Sequence, residues 1–347
     1  MSWTLAAALY KLPAEDIDNS LTGEGDILMI RKRSLISIAM TAIVASFVLP
    51  AHAATPPCRT AKLIVPWGPG GGTAVLFGLF EKYMNEHGAK PKIKVVTIPG
   101  QAGNKGAKEA VKAKADGCTL FAIHQSAIIS YLSKRVPFNW DGFDTVAHLT
   151  VTPSILAASP KSPFNDYDGM LAHLKANPGQ VKTGASIGAT SHFIWLMFGE
   201  QTGTSNKFIP VQGGTGKRKQ LLMNDTFLLG EMNEAAAKKE LTSGALKPLA
   251  IAAVKRSPTF PKIPTLREKG VDLIHALNRG IVVPKGTSQD VIAHWAAAFK
   301  NPLQDPAFVK QIAAKGTGLE YKGPKAYADW FRAQTAVYTK VHAMISK

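Results

Sequence analysis

The chain has 347 residues, of which 46% are apolar, 19% charged and 8% aromatic, a composition that supports more than one small core and excludes a disordered, coiled-coil or collagen-like protein. A single apolar run is long enough to weigh as a membrane segment, so a multi-span membrane protein is excluded too. The formal charge of +17 comes from Lys and Arg scattered along the chain without a basic stripe, so nucleic acid is not an expected partner; the positive field suits small anions or is simply a solvated surface.

Arg31, Lys32 and Arg33 precede an apolar run from Leu35 to Leu49, and Pro50 and Ala51-His52-Ala53 follow it. A cationic start, fifteen apolar residues and an A-x-A site make a secretory signal peptide, and the run falls short of the roughly 20 residues that span a bilayer. Residues 1–28 include Glu15, Asp16, Asp18, Glu24 and Asp26, which a leader does not carry. They read as an extension upstream of a true start at Met29, with an ordered N-terminal segment as the alternative. The expectation is therefore a signal peptide at 29–53, cleaved after Ala53.

Residues 62–65 read as a short buried strand that opens into the Gly-rich turn 68–73, and Val75, Leu76, Leu79, Phe80 and Tyr83 continue it as a helix. Residues 94–97 read as a second strand, 99–103 as its turn, 107–115 as a helix and 118–123 as a third strand. Strand, turn and helix repeating at this interval predict a parallel, doubly wound sheet. A second set of units begins near Ser154, with strands at 181–186, 207–211 and 249–253 and a helix from Ser191. After Asn278 the first pattern returns with a strand at 280–284, then helices to the C-terminus. Ligands of such sheets collect at the carboxyl ends of strands, which makes the Gly-rich turns the candidate site.

The turn at 68–73 fails G-x-G-x-x-G at its last position, where Thr73 stands. Gly216 and Lys217 end like a phosphate-binding loop, but Val211 and Arg218 occupy positions that require Gly and Ser or Thr. What remains is a set of backbone N–H groups at helix starts, suited to any anion, on glycines that tight turns also need. Ser186, Thr190 and Ser191 surround another helix start, where they cap the helix or donate to a carboxylate. The nine histidines are dispersed, and neither a metal-binding spacing nor a nucleophile elbow occurs, so no catalytic set, metal or cofactor is expected. Cys58 and Cys118, the only cysteines, each precede a strand, and those strands are neighbours in a 2-1-3 order. A disulfide is expected in an oxidising compartment, with two buried thiols as the alternative.

Several segments follow one another in a telling order: Val65-Pro66-Trp67-Gly68-Pro69-Gly70-Gly71-Gly72-Thr73, Pro99-Gly100-Gln101-Ala102-Gly103, and Asp116-Gly117-Cys118-Thr119-Leu120. Gly184 to His192, Ile209-Pro210-Val211-Gln212-Gly213, Lys255 to Gly270 and Pro284-Lys285-Gly286-Thr287 complete the series. Over 58–347 this resembles the periplasmic solute-binding proteins of tripartite tricarboxylate transporters, the Bordetella uptake gene family. Four positions depart from the family pattern: Ala74 replaces an Asp that helps hold the ligand, Gly78 an Arg, Val211 a Tyr and Asn278 an aromatic residue.

The resemblance implies an α/β type II periplasmic binding protein, two doubly wound lobes joined by two crossing strands near Thr152 and Leu277. Lobe 1 would be 56–152 plus 278–347, and lobe 2 would be 153–277. It implies a periplasmic monomer that captures a small organic acid and hands it to the large and small membrane subunits of a transporter. The alternatives are a ligand-presenting protein for a two-component receptor and an exported enzyme. The implied ligand-binding residues of lobe 1 are Trp67, Pro69, Gly70, Gly71, Gly72 and Thr73, then Gly100, Gln101, Ala102, Gly103 and Ser126. Lobe 2 would add Ser186, Thr190, Ser191, Gln212 and Gly213. On this reading N–H groups and hydroxyls neutralise the carboxylate without an Arg, and Ala74 disfavours ligands that bear an ammonium group.

Sequencing the N-terminus of the exported protein should return a chain that starts at Ala54. A mature chain that retains residues 1–28 would overturn the leader assignment.

Overall fold

The computed structural model describes residues 55–345, so the leader, its cleavage site and the upstream extension lie outside the described residues. Strand β1 (Thr60–Val65) is a near-continuous apolar run, with Ala61, Leu63, Ile64 and Val65 fully buried, because helices cover both faces of its sheet. It pairs parallel with β2 (Lys92–Thr97) on one side and with β3 (Thr119–Ile123) on the other, the 2-1-3 order expected. The six-stranded sheet continues through β10 (Ala276–Pro284), β4 (Phe143–Pro153) and β11 (Gly318–Lys322). Those three strands join antiparallel, so the sheet is mixed rather than wholly parallel.

A second sheet of five strands has β6 (Lys182–Ala185) parallel to β7 (Lys207–Pro210) and to β8 (Leu229–Met232). In the same sheet β5 (Ile155–Ala158) runs antiparallel to β8 and to β9 (Lys247–Ile251). The strands β5, β8 and β11 are absent from the sequence reading, and β4 entered it only as a crossing strand near Thr152. Their residues break the expected pattern: β8 holds Gly230 and Glu231, and β4 buries His148, Thr150 and Thr152.

Helix α1 (Gly72–Glu86) lays Leu76, Phe77, Phe80 and Met84 against the first sheet. Phe80 meets Phe308 edge-on at 4.8 Å, which ties α1 to α9 (Pro306–Ala313). On the opposite face, α10 (Pro324–Ile345) packs Tyr327 on Phe331 at 4.6 Å, and Trp140 stacks on Phe331. Helix α2 (Asn104–Val111) starts and ends earlier than the expected 107–115. The turn before it contains a short 3-10 helix with Gln101 and Ala102 at positive φ. The second sheet is covered by α4 (Tyr167–Ala176) and α5 (Thr190–Thr202), whose Met170, Leu174, Ile194, Trp195 and Phe198 form its core.

Two crossings link the sheets. Strands β4 and β10 pair from Pro284↔Phe143 to Ala276↔Pro153, with Leu277 opposite Thr152. Ser154 then carries the chain into β5, its N–H donating to the His275 carbonyl at 2.9 Å. The N–H of His275 donates in turn to the carbonyl of Ala252. Among the described residues no helix is long and apolar enough to cross a membrane.

Cys58 and Cys118 form a disulfide with their Cα atoms 5.9 Å apart, pinning the starts of β1 and β3. The bond closes a separation of 60 residues, for which loop entropy alone contributes about 4 kcal/mol. Cys58→Ser with Cys118→Ser should therefore lower the melting temperature by several degrees. Titration of the unfolded, non-reduced wild-type protein should find no free thiol, and two free thiols would overturn the pairing.

Candidate functional site

Three helices begin at one cleft between the sheets. The cleft lies at the carboxyl ends of β1 and β6, as the position of the Gly-rich turns predicts. The helices are α1, which starts at Gly72, α5, which starts at Thr190, and α6 (Thr215–Met223). Their N-cap residues are Gly71, Ala189 and Gly214, none of which offers a side-chain cap, and no first turn holds an acidic residue. Of the other helices, α2 and α3 (Ser126–Leu132) also lack a side-chain cap, whereas Asp166 caps α4, Asn233 caps α7 (Glu234–Thr242), and Ser288 caps α8 (Gln289–Lys300). Uncapped N-terminal N–H groups carry partial positive charge and need an acceptor. Three of them at one place make a candidate anion site.

Glycine is needed there for close approach. A Cβ at Gly72 would sit 2.5 Å from Asn233 Oδ1, and one at Gly214 would sit 2.9 Å from the Trp67 ring at a φ of +80°. The loops of the two sheets also bond directly. The Gly68 N–H donates to the Gly213 carbonyl at 3.0 Å, and the Gln101 N–H to Gln212 Oε1 at 3.0 Å. The cleft is thus closed, and it encloses about 20 Å³, room for about one water molecule.

The hydroxyls divide the work. Ser186 Oγ donates to the Val211 carbonyl at 2.9 Å and is spent on structure. Ser191 Oγ accepts the Ser186 N–H at 3.1 Å, so its own proton remains for a ligand. Thr190 Oγ1 bonds to none of the described residues and lines the cavity. Neither Thr190 nor Ser191 caps α5.

Charged groups line the same walls. Arg218 is buried, with Nε donating to the Glu231 carbonyl at 2.7 Å and Nη2 to the Glu231 carboxylate and to Thr215 Oγ1. Burial pushes the Glu231 carboxyl upward, and Arg218 opposes that shift. Ser154 Oγ donates to Glu231 Oε1 at 3.1 Å and lies 2.9 Å from His275 Nδ1. Arg279 is also buried, its Nε on Thr73 Oγ1 at 3.0 Å and its Nη1 on Thr152 Oγ1 at 2.7 Å. Burial lowers its pKa to about 10, which leaves it a cation at neutral pH. His124 stacks on Trp67 with ring centroids 5.3 Å apart. Burial, then the charge of Arg279, hold His124 down at about 3, and burial holds His275 at about 4, so both rings are neutral at pH 7.

The expected ligand residues fall in three places. Trp67, Gly71, Gly72, Thr73, Ser186, Thr190 and Ser191 line the closed cleft. Pro69, Gly100, Gln212 and Gly213 line an open groove of about 450 Å³ outside it, beside Lys217. Ala102, Gly103 and Ser126 line a separate small pocket behind Pro66. Gly70 and Gln101 line none of the three; Gly70 faces solvent and Gln101 bridges to Gln212.

Arg218, Glu231, Arg279 and His124 also line this cleft and are absent from the sequence reading, which required no Arg there. One signal was available: Arg279 sits inside the otherwise unbroken buried strand β10. Of the four departures from the family pattern, Ala74 packs against the core of the first sheet, and Val211 is buried in a separate cluster with Leu222, Phe227 and Leu246. The Asn278 amide donates to the Ala276 carbonyl. Among the described residues no group of three or more His, Cys, Asp or Glu is placed to hold a metal ion.

The chain is 28% identical to protein BugT of Bordetella pertussis over 290 residues, 82% of this chain and 88% of that one. The solved structure of a periplasmic transporter matches it with a TM-score of 0.78 at 27% identity, covering 83% of this chain and 97% of the other. The structure of MatC from Rhodopseudomonas palustris with bound malate shares the fold, with a TM-score of 0.77 at 23% identity over 82% of this chain and 99% of MatC. The family model described as tripartite tricarboxylate transporter family receptor matches residues 84–344, and the chain belongs to that family.

Proposed function

We propose that this protein is a periplasmic receptor that captures a small organic carboxylate in the closed cleft. It would then deliver the acid to the large and small membrane subunits of a tripartite-type secondary transporter. The observation that carries the reading is the convergence of three uncapped helix N-termini, α1, α5 and α6, on one small cavity. A carboxylate there accepts from backbone N–H groups and from the hydroxyls of Thr190 and Ser191. Charge-assisted bonds of this kind each contribute roughly 1.5–3 kcal/mol. The malate bound to MatC, a protein of the same fold, supports a carboxylate as ligand.

In this proposal the moving bodies are the lobes 56–152 with 278–347 and 153–277, hinged where β4 runs into β5 and where the chain returns at His275. Opening would part the Gly68–Gly213 and Gln101–Gln212 bonds and admit the ligand. Capture and release make or break no covalent bond, and a receptor needs no catalytic set.

The test is a thermal-shift screen of the mature protein against a panel of carboxylates. A true ligand at 100 times its Kd adds about 2.7 kcal/mol of stability, which reads as a rise of several degrees. Thr190→Val with Ser191→Ala should remove that rise without lowering the melting temperature of the free protein to a similar extent. A panel without a responding carboxylate would sink the receptor reading, and a response that survives the double substitution would place the ligand elsewhere.

A further inference from the structure

Charge on the cleft walls does not balance. Arg218 and Glu231 neutralise each other in direct contact, and both carboxylate oxygens of Glu231 are already engaged, by Arg218 and by Ser154. His124 and His275 are neutral at physiological pH. Arg279, only 1% exposed, is left with hydroxyl and carbonyl partners: Thr73, Thr152 and, at 3.4 Å, the Leu277 carbonyl. Its Nη2 makes no hydrogen bond to any described residue, although a guanidinium offers five N–H donors in a fixed fork. A buried cation without a contacting anion is costly, and an anion that arrives with the ligand removes the cost.

Arg279 lines the cavity together with Gly72 and Thr73, and its Nη2 is close to the start of α1. It lies 3.0 Å from the position that a Cβ on Gly72 would take, and Gly72 is the first residue of α1. The guanidinium and the α1 N-terminus therefore stand beside each other on one wall, within reach of a single carboxylate. The rest of the wall is Thr190 and Ser191 at the start of α5, Gly214 and Thr215 at the start of α6, and Trp67, Ala189 and Leu277, with no further cation among the described residues lining this cavity. Lys217 belongs to the outer groove. With Arg218 matched by Glu231, the walls carry one net positive charge, which one carboxylate offsets, and a second would be buried without a cation of its own.

We infer that Arg279 pairs with the ligand's carboxylate, and that the cleft selects a short monocarboxylate over a dicarboxylate of equal carbon number. The inference rests on the carboxylate-receptor reading of the same cleft. It adds a specificity-determining residue and a charge class.

Isothermal titration of the mature protein near neutral pH, with propionate against malonate and butyrate against succinate, tests it. The monocarboxylate of each pair should bind at least about tenfold tighter. Arg279→Gln should weaken the preferred acid roughly a hundredfold, because the pair is desolvated. Arg279→Lys should recover part of the loss, since it keeps the charge without the fork. The comparison of acids uses wild-type protein alone, so it stands even if a variant folds poorly. Equal or tighter binding of malonate and succinate would overturn the inference, as would butyrate affinity unchanged in a folded Arg279→Gln protein. So would a protein that responds to other carboxylates in the thermal-shift panel but binds neither propionate nor butyrate, and that result leaves the receptor reading standing. No response to any carboxylate fails the receptor reading itself.

Discussion

The antiparallel pairing of β4 with β10 carries the chain from one sheet to the other and back, and the cleft is built along it. Thr152 and Leu277 face each other in that ladder, Arg279 follows two residues after Leu277, and Ser154 and His275 bond where it ends. Buried polar groups on a crossing are costly unless each finds a partner, and here they find one another. Thr152 holds Arg279 from one side, while Ser154 links His275 to Glu231. The same residues that join the sheets thus set the charge of the cavity between them.

Around this crossing the βα units supply the second half of the site. Each contributing strand ends at the cleft and each following helix starts there, so the partial charges of three helix ends add instead of cancelling. The fold leaves these ends uncapped while it caps α4, α7, α8 and α9 with Asp166, Asn233, Ser288 and Asp305. Capping residues are thus within reach of the sequence, and the three helix ends at the cleft go without them, as do α2 and α3. A carboxylate side chain at any of those three caps would occupy the position of an anionic ligand and neutralise the local field.

The net charge of +17 and the cleft act at different ranges. Surface charge raises the local concentration of anions and is screened over about 8–10 Å in physiological salt. The buried guanidinium is screened far less, and its charge is felt within the cleft, where it helps to hold His124 neutral. Arg218 shows the difference in role: held by Glu231 in a mutual ion pair, it orders the wall of the cleft without adding net charge.

Much of the architecture was legible in the residues. The alternation of apolar runs, Gly-rich turns and helical periodicity marks β1, α1, β2 and β3, and two cysteines placed before adjacent strands mark the disulfide. These features are local, so the chain states them directly. Strand direction was not legible at β10, because an apolar run such as Gly280-Ile281-Val282-Val283 reads the same parallel or antiparallel. β8 was missed because Gly230 and Glu231 suggest a turn until Arg218, Ser154 and the neighbouring strands are seen to surround them.

For the site, the sequence by itself determined that Gly-rich turns and hydroxyls stand at helix starts after strands, the groups an anion site would use. Only the tertiary structure decided which of them meet. It brings Thr73 and Arg279 together across 206 residues and Ser154 and Glu231 across 77, and it sends Pro69, Gly100 and Ser126 to other surfaces. The physical reason is that a buried charge is set by partners from distant strands. No local pattern in β10 records that Arg279 would be left, after folding, with hydroxyls and carbonyls and without an anion.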